Sequence, residues 1–173
     1  MEKSTAVLEP WSEDDFWLLL RKNEPAMTGH LGGPESRAKL EDRHRRYLAL
    51  SAGEPGAGRM FRVVADGQSV GSVGFWERVW QGEEVYETGW GILPEFQGRG
   101  LAAGAARALV AHAGVHGTRR HLHAFPAVDH AASNAVCRAA GFVLLGEVRF
   151  EYPPGQWHAS SDWRVVLGDG AIS

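Results

Sequence analysis

The most informative segment of the chain is Gly91–Ala102, in which a β-rich run is broken by Pro94 and followed by glycines at the start of a helical pattern. A helix start leaves backbone N–H groups unpaired and carries partial positive charge. Because glycine has no Cβ, an anion can approach those N–H groups closely at Gly98 and Gly100. The segment Gln97–Ala102, called the glycine loop below, therefore predicts a site for an anion such as a pyrophosphate. The alternative is a plain turn before a helix.

Two nucleotide-binding patterns fit the glycine loop poorly. Gly98–Ala103 matches the GxGxxA spacing of dinucleotide-binding proteins, but that fingerprint expects an acidic residue about 20 positions later. The chain is basic there, at Arg119 and Arg120, and three β-rich runs precede the loop instead of one. The P-loop pattern fails because no Gly-Lys-Ser/Thr follows the glycines. NAD binding is left as a distant alternative.

A second informative segment is Ser133–Phe142, a short helical run that starts beside Asn134 and ends in Gly-Phe. With the glycine loop, which reads Gln-Gly-Arg-Gly-Leu-Ala, it resembles the two motifs of the GNAT superfamily of acyl-CoA N-acyltransferases. The resemblance covers about Phe61–Leu167, and a preceding strand and two helices also fit the order of the family. Glu87–Trp90 further resembles a strand of the branch that contains ribosomal-protein alanine acetyltransferases, and aminoglycoside N-acetyltransferases are similar as well.

The resemblance implies that the chain binds acetyl-CoA as a cosubstrate. In similar proteins, the strand before the glycine loop and the strand after its helix separate, and the pantetheine arm of the coenzyme lies between them. The backbone of Gly91–Leu93 would then bind the pantetheine, and backbone amides of Gly98–Ala102 would bind the pyrophosphate. The implied coenzyme-binding residues are Gly91, Ile92, Leu93, Gln97, Gly98, Arg99, Gly100, Leu101, Ala102, Asn134 and Arg138.

Three of these side chains also have ordinary structural explanations. Arg99 and Arg138 would neutralise phosphates at the adenosine end of the coenzyme, or are simply solvated surface arginines. Asn134 would contact the coenzyme arm, or caps the helix that follows it.

The implied reaction needs a neutral amine, whereas an alkyl ammonium with a pKa of about 10.4 is charged at neutral pH. Glu87 is the predicted catalytic base, because its strand leads into the coenzyme gap; the alternative is an ion-paired structural glutamate. Many similar proteins carry a tyrosine four residues before Gly141 that protonates the leaving thiolate, but this chain has Cys137. We expect a small buried residue there rather than an acid or an acyl carrier, with Tyr152 or water replacing the tyrosine.

Residues near turns are candidates for the acceptor site, although core packing or plain exposure is the simpler alternative for each. His30 lies in a glycine-rich turn between the first two helical patterns, and its position borders the acceptor site in similar enzymes. Rings at turns of the β-rich region can pack against a cation or a sugar; the candidates are Trp80, Tyr86 and Trp157. No metal is expected, because neither an HExxH motif nor acidic or cysteine ligands accompany the histidine pair at 112 and 116.

The periodicity predicts the elements that position these residues. The fold class is predicted to be α/β (α+β), a GNAT-like mixed, mostly antiparallel sheet of six to seven strands flanked by about four helices. Helices are predicted at about 12–22, 34–50, 98–114 and 131–140, and strands at 60–65, 69–77, 84–93, 119–125, 142–151 and 162–167, with a loop at 152–161.

Composition narrows the class of protein. The chain has 173 residues, 44% hydrophobic and 23% charged, which predicts one folded domain over 1–173. A formal net charge of −3 argues against a dedicated nucleic-acid binder. A single cysteine, no apolar signal core and no bilayer-spanning apolar stretch predict a cytoplasmic protein without membrane contact.

The expected function is transfer of the acetyl group of acetyl-CoA to a primary amine by direct attack in a ternary complex. The acceptor is expected to be a small molecule, an aminoglycoside-like antibiotic included, or a protein N-terminus, and the sequence does not choose. A homodimer is left open. A non-catalytic acyl-CoA-binding module or sensor is the alternative, and the missing tyrosine favours it.

Overall fold

The computed structural model describes residues 5–29 and 32–168. The strands are β1 Val7–Pro10, β2 Gly58–Ala65, β3 Gln68–Trp80, β4 Glu83–Ile92, β5 His121–Ala124, β6 Val143–Glu151 and β7 Trp157–Val166. The helices are α1 Phe16–Lys22, α2 Pro25–Thr28, α3 Arg37–Ala52, α4 Leu101–His116 and α5 Ala131–Ala139. Within these described ranges no helix is both long and apolar enough to cross a membrane.

One mixed sheet joins these strands in the order β1-β2-β3-β4-β5-β7-β6, and every neighbouring pair is antiparallel except β4 and β5. This confirms the predicted fold class. The helix beyond the four that were expected is α2, a single turn that begins at Pro25.

Two tight turns fix the register of the first half of the sheet. Asp66 and Gly67 have φ values of 51° and 76°, and Gln81 and Gly82 have 51° and 82°. Two consecutive residues with positive φ are typical of the two-residue hairpin turn whose twist matches that of the strands. The second turn pairs Trp80 with Glu83, which places Glu87 opposite Trp76.

The parallel pair β4 and β5 is held at two positions only, Tyr86 with Leu122 and Glu87 with His123. Beyond them the chain continues to pair with β7 and no longer with β4. The carbonyl of Pro126 accepts from Ser161 at 2.8 Å, and the next residue, Ala127, bridges to Ser160. The remaining residues of β4 therefore have no β5 partner, and a gap opens between the two strands.

Small residues on α4 allow this helix to lie close against one face of the sheet. Ala105, Ala106, Leu109 and Ala113 are buried there with core residues of the strands such as Phe75. The other face is covered by a second cluster that includes Leu18, Leu19 and Met60. Since successive strand residues point to opposite faces, Met60 and its neighbour Phe61 mark the two sides of β2.

The end of the chain departs from the prediction. The strand expected at 162–167 begins at Trp157, because residues 157–161 pair with β6 from Glu151 back to Glu147. The connecting turn is correspondingly short, with the Tyr152 amide donating to the Gln156 carbonyl at 2.8 Å. The Pro-Pro-Gly sequence suggested a long loop, whereas it closes a tight hairpin.

The packing of α4 gives a direct stability prediction. Leu109→Ala removes a fully buried side chain and should lower the free energy of unfolding by about 2–5 kcal/mol, since the cavity cannot collapse completely. Val115→Ala on the same helix removes a side chain that is 77% exposed and should change it by about 0.5 kcal/mol or less. Urea unfolding of both variants measures the difference; equal losses would contradict the packing of α4 on the sheet.

Candidate functional site

A cavity of about 1100 Å³, called the central cavity below, opens where β4 and β5 separate. It extends from the glycine loop and α5 to α1, α3 and the turn after β6. The predicted site residues that line it are Glu87, Gly91, Ile92, Gln97, Gly98, Gly100, Leu101 and Ala102. Glu87 and most of the predicted coenzyme-binding residues are thus brought to one place, but Asn134 and Arg138 of the second motif are not among them.

The glycine loop has the backbone conformation that its glycines predict. Gly98 and Gly100 have φ values of 80° and 76°, in the left-handed region that favours glycine. Gly100 is the N-cap of α4, and no side chain caps this helix start. The side-chain amide of Gln97 donates to the Ile92 carbonyl at 2.8 Å and ties the loop to the end of β4. The first N–H groups of α4 therefore start at the wall of the central cavity, where an anion can reach them.

Four of the predicted coenzyme residues lie outside the cavity wall: Leu93, Arg99, Arg138 and Asn134. Leu93 is buried in the second core cluster, and its amide donates to the Val70 carbonyl at 2.8 Å. Arg99 and Arg138 are exposed, and their guanidinium groups lie 5.7 Å and 5.5 Å from the ring centres of Phe96 and Trp163. Both arginines are free to move towards a phosphate, whereas the Leu93 amide is already bonded within the sheet.

The side chain of Asn134 forms hydrogen bonds within the protein. Its amide nitrogen donates to the carbonyls of Ala127 and His130, each at 2.9 Å, and its oxygen accepts from the Trp163 indole at 2.9 Å. The cap of α5 is His130, whose ring accepts from the Ser133 amide. Asn134 is therefore not the cap; it holds the segment between β5 and α5 against β7.

The surroundings of Glu87 change the pKa of its carboxyl group. Its side chain is 15% exposed and accepts from Arg78 at 2.8 Å, at the wall of the central cavity. Burial raises the pKa of Glu87 above its ordinary value, while the positive charge of Arg78 opposes the rise. Arg78 itself lies 4.5 Å from the ring centre of Phe150. A carboxyl group that retains its proton more readily than an exposed glutamate is thus placed where a substrate can reach it.

A buried histidine–carboxylate pair lies on the strand next to Glu87. His123 Nδ1 is 2.6 Å from Asp162 Oδ1, and Asp162 also accepts from the Trp80 indole at 3.1 Å. Neither His123 nor Asp162 was among the site residues expected from the sequence. Asp162 is 39 positions away, and the only signal was a charged residue at the start of a predicted strand.

Tyr86 was predicted to line the acceptor site, but it does not line the cavity. It is fully buried, packs edge-on against Phe75 and bonds through its hydroxyl to Gly56 and Thr118. Glu87, its neighbour on β4, faces the cavity, so Tyr86 faces the opposite side of the sheet. The period-two alternation could have indicated this.

The two other acceptor candidates that the structure describes, Trp80 and Trp157, are not at the cavity wall either. Trp80 packs against Phe125 with ring centres 4.7 Å apart, and Trp157 is 54% exposed beneath the guanidinium of Arg149. His30 lies outside the described residues. Among the described residues the aromatic and histidine lining consists instead of Tyr47, Trp76, Trp90, Phe96, Phe125, His130, Phe150, Tyr152 and His158.

Tyr152 lies in a polar group on the side of the cavity formed by α3. Arg43 donates to its hydroxyl at 3.0 Å and forms an ion pair with Glu35 at 2.6 Å. Burial raises the pKa of Tyr152, and it raises the pKa of the neighbouring Tyr47 to about 12. Both phenols therefore keep their protons at neutral pH.

Cys137 is a core residue, as expected. It is fully buried in the cluster beneath the sheet, and burial raises the pKa of its thiol to about 12. A neutral thiol enclosed by apolar side chains is a poor nucleophile, which argues against an acyl-cysteine route.

The two rings of the histidine pair on α4 have their centres 4.3 Å apart and are tilted by 37° to each other. Over residues 5–29 and 32–168, no group of three or more His, Cys, Asp or Glu side chains is arranged to hold a metal ion.

Comparisons with known proteins agree with this geometry. A family model described as an acetyltransferase (GNAT) domain matches residues 6–143 of this chain. No curated protein sequence matches it.

Several solved structures share the fold at low sequence identity. An acetyl transferase from Salmonella typhimurium that modifies the N-terminal serine of a 50S ribosomal subunit protein has a TM-score of 0.75 at 22% identity, over 94% of this chain and 95% of that chain. A microcin self-immunity acetyltransferase in complex with acetyl-CoA and AMP has a TM-score of 0.76 at 17% identity, over 94% and 93%. An aminoglycoside acetyltransferase in complex with coenzyme A has a TM-score of 0.74 at 18% identity, over 94% and 95%.

The burial of Cys137 is open to a simple test, because it is the only cysteine of the chain. With a pKa of about 12, about one thiol in ten thousand is ionised at about pH 8, and that thiol is also sterically shielded. Ellman's reagent should therefore react at least about a hundredfold more slowly with the native protein than with the urea-unfolded chain. Equal rates in the two states would show that the thiol is accessible.

Proposed function

Because this chain belongs to the GNAT acetyltransferase family, we propose that it transfers the acetyl group of acetyl-CoA to a primary amine by direct attack in a ternary complex. The motif resemblance in the sequence is confirmed at the level of the family. The observation that carries the proposal is the gap between β4 and β5, which begins beside Glu87 and leads along β4 to the glycine loop.

The coenzyme would bind mainly through the backbone. Amides at the start of α4 would hold the pyrophosphate, with Arg99 and Arg138 near enough in the chain to add charge at the adenosine end. Hydrogen bonding alternates along an antiparallel pair, and the Leu93 amide is bonded to Val70 on β3. We therefore assign the pantetheine contacts to the backbone of Trp90 and to the amide of Ile92, which face the open edge, and not to Gly91 or Leu93. The Ile92 carbonyl already accepts from Gln97.

Glu87 would accept the proton of the attacking amine. The amine nitrogen forms a bond to the carbonyl carbon of the thioester, the carbon–sulfur bond breaks, and the coenzyme leaves as a thiolate. The proton lost by nitrogen goes to the Glu87 carboxylate directly or through a water molecule. A raised pKa suits this role, because it brings the carboxylate closer in basicity to the group that it deprotonates.

Tyr152 would donate a hydrogen bond to the leaving thiolate. Because Arg43 donates to the Tyr152 oxygen, the hydrogen of the phenol is left to point towards another acceptor. The buried Cys137 cannot take this part. A thiolate with a reference pKa of about 8.5 is a tolerable leaving group, so a hydrogen bond is sufficient and complete proton transfer is not required.

The proposed acceptor is either a protein N-terminus or a small-molecule amine. One structural neighbour modifies a protein N-terminal serine and another is named for aminoglycosides. The central cavity has room for either a peptide N-terminus or a small amine. A thiol-release assay with acetyl-CoA and a panel of both kinds of amine tests the activity; tight coenzyme binding without turnover of any amine would favour a sensor instead.

Coenzyme binding at the glycine loop is tested by Gly100→Val, with Gly67→Val as the matched control. Both glycines have φ of 76° and no atom within 4 Å of an added Cβ, but only Gly100 lines the cavity. The local strain should therefore be similar, while only Gly100→Val should weaken coenzyme A binding, by about tenfold or more. Calorimetry with folded protein measures it, and equal affinities in the two variants would exclude this loop as the phosphate site.

The role of Glu87 is tested by Glu87→Gln, with the exposed Glu84→Gln on the same strand as control. Loss of a general base should lower kcat by about a hundredfold or more and leave coenzyme affinity unchanged. In the wild type the rate should fall as the pH drops through the raised pKa of Glu87, at a higher pH than the ordinary glutamate value of about 4.3. Wild-type kinetics in Glu87→Gln would remove it from the reaction.

A further inference from the structure

Lys22 is a cation at the central cavity that the proposed reaction does not use. It is the last residue of α1, and its ammonium donates to the hydroxyl of Ser72 on β3 at 2.6 Å. Ser72 is fully buried, so the lysine reaches inward across the sheet instead of outward to solvent. A neutral hydroxyl satisfies one of its three N–H groups and none of its charge.

The strand beneath Lys22 is built to admit this side chain. A Cβ added to Gly91 would lie 2.6 Å from Cε of Lys22, a distance that no real contact allows. Gly91 has an ordinary backbone conformation, since its φ is not in the left-handed region. The glycine therefore leaves space that the end of the Lys22 side chain fills, and a side chain at position 91 would have to displace it.

The other charged side chains of the cavity wall are either ion-paired or exposed to solvent. Arg43 forms an ion pair with Glu35, and Arg78 forms one with Glu87. Arg46 and Glu151 are exposed, and Glu151 also accepts from the Gly155 amide. Among residues 5–29 and 32–168, Lys22 has no carboxylate within ion-pair distance, so it is the half-buried charge of the wall that lacks a counter-ion.

An uncompensated ammonium at an enclosed wall is costly. Burial, together with the positive charge of Arg43, lowers the pKa of Lys22 to about 8. The ammonium of Lys22 is thus still mostly charged at neutral pH, but its charged form is less stable than that of an exposed lysine. An anion in contact with it would offset the cost of desolvation and would restore the pKa.

We propose that Lys22 binds an anionic group, a carboxylate or a phosphate, on the amine acceptor. This rests on the proposed function, because it assigns a substrate class to the same cavity. Lys22 lies against Gly91, and Glu87 is four residues along the same face of β4, which corresponds to about 13 Å of strand. The acceptor class is therefore an extended molecule with an amine at one end and an anion at the other, such as a short acidic peptide or a long ω-amino acid.

Anion binding can be measured without any turnover. The chain contains three lysines, Lys3, Lys22 and Lys39, so protein labelled with carbon-13 at the lysine ε position gives few signals, and Lys22→Arg assigns the one of interest. Without coenzyme, glutarate and methyl phosphate should each be added over a pH titration, with acetamide as the neutral control. At least one anion should raise the pKa of Lys22 by about one unit, while Lys39, exposed on α3, should not respond.

The acceptor preference is measured by thiol release. ω-Amino acids of increasing length should be compared with their carboxamides, and short peptides that end in aspartate or phosphoserine with their asparagine and serine counterparts. The wild type and the exposed control Lys39→Gln should favour the anionic member by about tenfold or more in kcat/KM. Lys22→Met should bring that ratio close to one, and Lys22→Arg should retain part of it.

The outcomes separate the two proposals. Turnover without an anion preference, together with an unchanged Lys22 pKa, overturns the Lys22 site and leaves the acetyltransferase intact. A raised Lys22 pKa without turnover of any amine supports the anion site and counts against the enzyme. A preference that survives in Lys22→Met overturns the assignment to this lysine, whichever anion is preferred.

Discussion

The separation of β4 from β5 is the constraint on which the central cavity depends. Two residue pairs hold these parallel strands together, after which the chain pairs with β7 alone. A longer parallel ladder would bury the open edge of β4 against β5 and would leave no space between the glycine loop and Glu87. Asn134 fixes the segment that follows β5 by bonding to Ala127, His130 and Trp163 of β7.

At the cavity wall, acidic and basic side chains from different elements form ion pairs. Arg78 both neutralises Glu87 and covers Phe150, so the carboxylate remains ionisable in surroundings that would otherwise favour its neutral form. Arg43 on α3 likewise forms an ion pair with Glu35 and donates a hydrogen bond to Tyr152. Such pairs keep their geometry through hydrogen bonds as well as through charge, which makes the wall stiff. A substrate therefore meets groups that are already oriented.

Local features were predictable because neighbouring residues determine them. The Asp66-Gly67 and Gln81-Gly82 turns, the glycine loop and the end of α5 all follow from glycine and proline chemistry. The positions of Lys22 and Asp162 were not predictable, because their partners Ser72 and His123 are 50 and 39 positions away. The prediction that Tyr86 lines the acceptor site was wrong for another reason. It relied on the nearby turn, whereas the face of the strand to which the side chain points decides its surroundings.

The contact between Gly91 and Lys22 also bears on how this wall can change over evolution. A side chain on the strand at position 91 would displace the end of the Lys22 side chain from the space above β4. Relatives with a larger residue on the strand should therefore carry a short residue at the end of α1 or direct a long one elsewhere. Such a swap would move the positive charge away from the sheet and alter the shape of the molecule that the cavity admits.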